Sequence, residues 1–202
     1  MIQNVIFDMG RVLQDFDPMH AIRPLVSNCH DQELLRQVIF HSQEWASLDR
    51  GTIDFVQAES AWRTRLPQRL WQTLQQIIQT WHLFMPYYPE MIELVKELKS
   101  KGYALYLLSN ASNRFFAYQD RCEAFALMDG IIISSDWKVV KPERRIYEIL
   151  LNNFHLNSEE CFFIDDVAAN IEAARQIGMM GFVYQGDVSA LRAKMRSLNI
   201  PV

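Results

Sequence analysis

Apolar residues are spaced in two different ways along this 202-residue chain. Asn4–Asp8 is a short, unbroken apolar run ending in a carboxylate, which predicts a buried strand. From about Pro18 to Met85 only helical spacing is found. Leu34, Leu35, Val38 and Ile39 share one face there, as do Leu70, Leu74, Ile77 and Ile78, and Gly51-Thr52 separates two helical patches. Past Pro86 and Pro89 the pattern alternates. A helix over 90–101 ends at Gly102, a residue suited to closing it, and "YALYLL" (103–108) predicts a strand. After a polar "SNASN" turn and a helical stretch come a strand over 130–134, a helix over 143–153 and a strand over 161–165. A helix over 168–177 closed by Gly178, a strand over 180–184 and a helix over 188–198 complete the chain.

Strands that are apolar on both faces and alternate with helices predict an α/β fold with a doubly wound parallel sheet. The helical stretch after the first strand is then an inserted cap. The expected division is a core of 1–16 and 86–202 with a small helical cap over 17–85.

Open parallel sheets bind ligands outside the carboxyl ends of their strands. Four groups fall there: Asp8, Ser109-Asn110, Lys141-Pro142-Glu143 and Asp165-Asp166. Taken singly, a strand-end Asp or Ser is equally a helix cap or a turn former. Together they supply a nucleophile, a hydroxyl and an amide donor, a cation and an acidic pair, a set suited to a phosphate group beside Mg²⁺. Attack of Asp8 on phosphorus would divide a hard hydrolysis into two easier steps. A divalent cation on Asp8, Asp165 and Asp166 would offset the charge repulsion. Ser109, the Asn110 amide and a lysine would stabilise the equatorial oxygens. Lys138 and Lys141 are both candidates for that lysine.

The ordered segments "FDMGRVL", "LLSN", "KPERRIY" and "FFIDDVAANIEAA" resemble the four motifs of the haloacid dehalogenase-like (HAD) hydrolase superfamily. The resemblance spans essentially the whole chain, with the cap placed as in subfamily I. The "FDMGRVL…DFD" opening and "LDRGTI" resemble most the glucose-1-phosphate phosphatase branch; the phosphatase domain of soluble epoxide hydrolase is more distant. It implies a Rossmann-like core and a Mg²⁺-dependent phosphatase acting on a small phosphate ester, such as a sugar 1-phosphate. Asp8 would be nucleophile and metal ligand, and the Gly10 carbonyl a second ligand. Asp166 would be the motif-four ligand, with Asp165 assisting and Asn170 positioning that turn. Ser109, Asn110 and Lys141 would bind phosphate, Lys141 being preferred to Lys138 because "KPE" before a helix is the family pattern.

Gly10 departs from that pattern, since most such phosphatases carry an acid/base Asp at this position. Its loss typically costs about 10²–10⁴ in rate. An anomeric oxyanion needs less protonation than an ordinary alkoxide, which would favour sugar 1-phosphates. Asp15 or Asp17 would either act as a base through water or close the strand–cap junction. In the cap, Trp45 and Arg50, with His41, Glu44 and Asp49, either read the substrate or form a core Trp among solvated charges. Arg11 either reaches the phosphate or stays on the surface.

Composition narrows the partners. Half the residues are hydrophobic and the net charge is −4, so no basic field attracts a nucleic acid. No run approaches the ~20 apolar residues of a membrane helix. Residues 1–8 lack a signal-peptide pattern, which predicts a cytoplasmic protein. Cys29, Cys122 and Cys161 suggest neither disulfides nor a metal site, and the five histidines show no paired spacing. The expected partner is a small-molecule phosphate ester, met by a monomer or homodimer. Two rivals stand: a metal-free haloacid dehalogenase, disfavoured by the two acidic groups beside Asp8, and a catalytically weak phosphate-binding homologue, suggested by Gly10.

Overall fold

A computed structural model describes all 202 residues. Five parallel strands, β1 (Asn4–Phe7), β2 (Ala104–Ser109), β3 (Gly130–Ile133), β4 (Cys161–Asp165) and β5 (Met180–Val183), form one sheet in the order β3-β2-β1-β4-β5. Alternate side chains of a strand point to opposite faces, and both faces are covered here. Val5, Phe7, Leu105, Leu107, Phe162 and Ile164 enter one apolar core. Ile6, Tyr106, Leu108, Ile132 and Phe163 enter the other. The helices Pro89–Ser100 and Val188–Ser197 pack on the first face through Leu94, Leu98, Leu191 and Met195. Helices Arg144–Asn153 and Ala168–Gln176 pack on the second through Ile146, Leu150, Ile171 and Ala174. The doubly wound α/β fold is as the apolar pattern predicts.

The strand order reverses at β1, which pairs with β2 on one side and β4 on the other. A crevice opens at the carboxyl ends around such a switch point. The register Phe7↔Leu107 and Phe7↔Ile164 sets Asp8 level with the ends of both neighbours.

Between β1 and β2 the chain runs through the helices Cys29–Leu35, Gln43–Arg50, Phe55–Arg65 and Trp71–Thr80. Their starts are written locally. Ser42 accepts from the Trp45 amide, and Asp54 with Gln57 forms a capping box. The outgoing and returning segments are tied together, Asp15 N donating to Pro86 O (2.8 Å) and Tyr88 N to Leu13 O (3.0 Å). The helical layer shares the first core with the sheet: Ile22, Trp62, Leu74 and Trp81 belong to the same buried cluster as Phe7. No helix is long and apolar enough to cross a membrane.

Candidate active site

Asp8, Ser109, Asn110, Lys141 and Asp166 line one cavity of about 230 Å³ between the strand ends and the helical layer, with Gly10, Arg11 and Asn170. Its floor is built around Lys141, which is 4% exposed. The ammonium pairs with Asp8 Oδ1 (2.7 Å) and donates to Asp165 Oδ2 (2.7 Å) and Leu108 O (2.9 Å), matching its three N–H bonds with three acceptors. Its backbone is held by one side chain: Asn110 Nδ2 donates to Lys141 O (3.0 Å), and Lys141 N donates to Asn110 Oδ1 (2.8 Å). The Asn110 side chain therefore positions the lysine.

Asp165 has no exposed surface. Both its oxygens accept from Asn170 Nδ2 (2.9 and 3.0 Å), Oδ1 also from Val167 N (2.8 Å) and Oδ2 from Lys141. A buried carboxylate is tolerable only when paired and hydrogen-bonded in this way. Asp166 remains partly open, with Arg11 Nη1 3.9 Å from its Oδ2.

Charge crowding shows in the acidities. Burial raises the Asp8 carboxyl to about 6, the Lys141 ammonium pulling down and the Asp165 charge pushing up. Burial and the Asp165 charge also raise Asp166, against the pull of Arg11. Burial would lower the Lys141 ammonium, yet Asp8 and Asp165 more than offset it and hold it above the usual range. Oxygens of Asp8, Asp165 and Asp166 lie within 4.8 Å of one another, an all-oxygen set of the kind that hard divalent cations such as Mg²⁺ take. The engagement of both Asp165 oxygens leaves Asp8 and Asp166 as the carboxylates best able to hold such an ion. Burial first and the Asp165 charge second make both weaker acids than usual, and a cation would relieve that charge crowding.

The roof is aromatic. Phe16 lies 6.1 Å from Trp45 and 5.9 Å from Trp81 between ring centres, Trp45 lies 5.3 Å from Trp81, and Tyr118 lies 5.9 Å from Trp81. All four rings line the cavity. Asp49, in the last turn of helix Gln43–Arg50, is the one carboxyl the helical layer contributes. Burial pushes it well above the usual carboxylate range, the Asp8 charge adding to this against the pull of the Ser112 amide.

The helix end carrying Asp49 is fastened to the floor. The Ser134 hydroxyl donates to Asp49 O. Gly51 turns left-handed at φ +74°, where a Cβ would sit 2.1 Å from Ser135 O, so only glycine permits the approach. Arg50 pairs with Glu143 and donates to Lys138 O (3.5 Å).

Arg50, expected at the substrate, thus faces the core domain instead. It follows Asp49 on a helix, where successive side chains diverge by about 100°. Asp165 is recessed beneath the cavity instead of lining it, because its oxygens hold the lysine and the Asn170 turn. Asp15 pairs with His20 (3.0 Å) and Asp17 accepts from Met19 N (2.9 Å), so neither is a base for the cavity. His41 meets Arg36 and Glu44 meets Arg65, both outside it. Lys138 is exposed and left-handed at φ 56°, a turn conformation rather than a phosphate ligand. Phe16, Trp81 and Tyr118 are cavity residues that helical spacing assigns to packing; their one sequence signal is position, Phe16 and Trp81 lying beside the cap–core crossings.

The family model for haloacid dehalogenase-like hydrolases matches residues 2–178. The chain is 27% identical over 194 residues to the sesquiterpene phosphatase astK of Aspergillus oryzae, covering 96% of this chain and 94% of that one. It is 21% identical over 194 residues to the D-ribitol-5-phosphate phosphatase of Bacteroides thetaiotaomicron, covering 90% and 91%. Its fold is similar to that of a HAD family enzyme of Bacteroides thetaiotaomicron in complex with magnesium and inorganic phosphate (TM-score 0.70, 21% identity, 95% of this chain and 99% of that one).

Proposed function

The chain belongs to the haloacid dehalogenase-like hydrolase family, and from that premise we propose that it is a Mg²⁺-dependent phosphomonoesterase working through an aspartyl-phosphate on Asp8. The observation that carries this reading is the convergence of Asp8, Ser109, Lys141 and Asp166 on one cavity. Asp8 Oδ1 is held by Lys141, which orients the carboxylate so that its other oxygen is the one to attack phosphorus. The Ser109 hydroxyl and the Asn110 amide are donors for the phosphoryl oxygens, the largest kind of contribution in such transfers, and the Lys141 ammonium, whose N–H bonds hold Asp8, Asp165 and Leu108 O, adds its positive charge beside them. Mg²⁺ held by Asp8, Asp166 and the Gly10 carbonyl would supply charge neutralisation. The phosphatase names of two full-length relatives support the same chemistry.

The organic part of the ester lies under Phe16, Trp45, Trp81 and Tyr118. We assign it to a small group, with a sugar phosphate as the first reading: a sugar's C–H face stacks on such rings, and Asp49 and Arg11 offer polar contacts. A second reading, an apolar ester of terpenyl type, is favoured by the four rings of the roof and the astK resemblance. The experiment is hydrolysis of a phosphate-ester panel with Mg²⁺ and with chelator, using Asp8→Asn as control. Metal-dependent phosphate release from glucose 1-phosphate or from geranyl monophosphate selects the substrate class. Phosphate release that persists in chelator would overturn the Mg²⁺ dependence, and halide release from a 2-haloacid without phosphate release from any ester would replace the phosphatase reading by the dehalogenase one.

A further inference from the structure

We propose that Asp49, reaching down from the helical layer, is the general acid and base that Gly10 does not provide. The inference rests on the phosphomonoesterase reading above and adds a catalytic residue to it.

Three carboxyls line the cavity: Asp8, Asp166 and Asp49. Asp8 is engaged by Lys141, and Asp166 belongs with it at the cation site. Asp49 stands apart from that pair, on the helical layer across the cavity from the strand ends, and an in-line displacement by Asp8 sends the ester's leaving oxygen away from the floor, toward that layer. No cation stands against it. The groups that act on its carboxyl are the Ser112 amide and the Asp8 charge, and burial favours the protonated form. Its backbone is fixed in place by Ser134 and by the left-handed Gly51 pressed on Ser135. A solvated surface acid would need none of this fastening.

Gly10 itself is not required by the backbone. It lacks a positive φ, and a Cβ there would meet only Phe16 Cβ at 3.7 Å, an ordinary contact. A side chain would fit here, so the missing carboxyl is not a steric exclusion. In the first step an Asp8 oxygen bonds to phosphorus as the P–O bond to the organic group breaks, and the departing oxygen takes the Asp49 proton. In the second, water attacks phosphorus and gives a proton to the Asp49 carboxylate, while the Asp8–phosphorus bond breaks and inorganic phosphate leaves. Both carboxyls return to their starting states.

The test compares wild type with Asp49→Asn, an isosteric change, and Asp49→Ala, on two probes with Mg²⁺. Glycerol phosphate has an alkoxide leaving group that needs the proton; p-nitrophenyl phosphate has one that departs unaided. Both variants should lose about 10²–10⁴ in kcat on glycerol phosphate. On p-nitrophenyl phosphate they should release one nitrophenol per site in a burst and then turn over slowly, because the second step still lacks its base. Equal losses on both probes without a burst, or a rise in KM alone, would overturn the role of Asp49 while leaving the phosphatase reading intact. Failure of wild type on both probes, or full activity in Asp8→Asn, would overturn both.

Discussion

The floor and the roof of the cavity are built by opposite means. On the floor, Lys141, Asp8, Asp165, Asn110 and Asn170 form a buried polar network in which nearly every donor meets an acceptor at 2.7–3.0 Å. On the roof, Phe16, Trp45, Trp81 and Tyr118 meet edge-on or tilted, with a single carboxyl among them. A polar network permits few substitutions, since each unpaired member is costly. Aromatic packing tolerates changes of shape at smaller cost. The floor accordingly determines the reaction and the roof the ester.

Substitutions that attack one side should separate these roles. The largest effect is expected for Lys141→Met, which leaves Asp8 and Asp165 buried without their cation. Stability should fall by about 3–5 kcal/mol, seen in urea denaturation, together with loss of turnover. Gly51→Ala places a Cβ against Ser135 O at a left-handed position, lifting the roof from the floor. A loss of about 2–3 kcal/mol is expected, with turnover falling while the Lys141 network persists. Trp45→Ala should raise KM for the preferred ester about 10–200-fold yet change inhibition by inorganic phosphate little, a split that steady-state kinetics with phosphate as inhibitor reads directly. The smallest effect is expected for Arg50→Ala. Its pair with Glu143 is more than a third exposed on both partners, so stability should change by less than about 1 kcal/mol and kcat by less than about threefold. A large KM effect of Lys141→Met with turnover retained, or a large kcat effect of Trp45→Ala, would erase the division.

The floor was the more legible side. Five apolar runs and four loop ends can be read because strands covered on both faces carry their burial in short unbroken apolar runs, and their carboxyl ends converge at the switch point. The division of labour within the acidic pair is not legible locally: Asp165 and Asp166 are adjacent, but Asp165 ends β4 and turns down to Lys141 while Asp166, just past the strand, stays in the cavity. The Asn110 grip on Lys141 spans 31 residues and has no local signal. The roof is less legible for the same reason. Trp81 and Tyr118 meet across a cap–core junction, whereas helical spacing reports only which residues share a face of one element. Arg50 and Asp49 are neighbours in sequence, and the Gly51 turn decides which of them sees the cavity.

The central claim, that Asp8 attacks phosphorus at a divalent-cation site, is tested most directly by turnover of a phosphate ester with and without Mg²⁺ in wild type and Asp8→Asn. Wild type should hydrolyse the ester only with the metal, and the variant, unchanged in circular dichroism, should be slower by about 10⁴-fold or more. A variant that keeps a substantial fraction of wild-type turnover, or a wild type indifferent to chelator, would contradict the account.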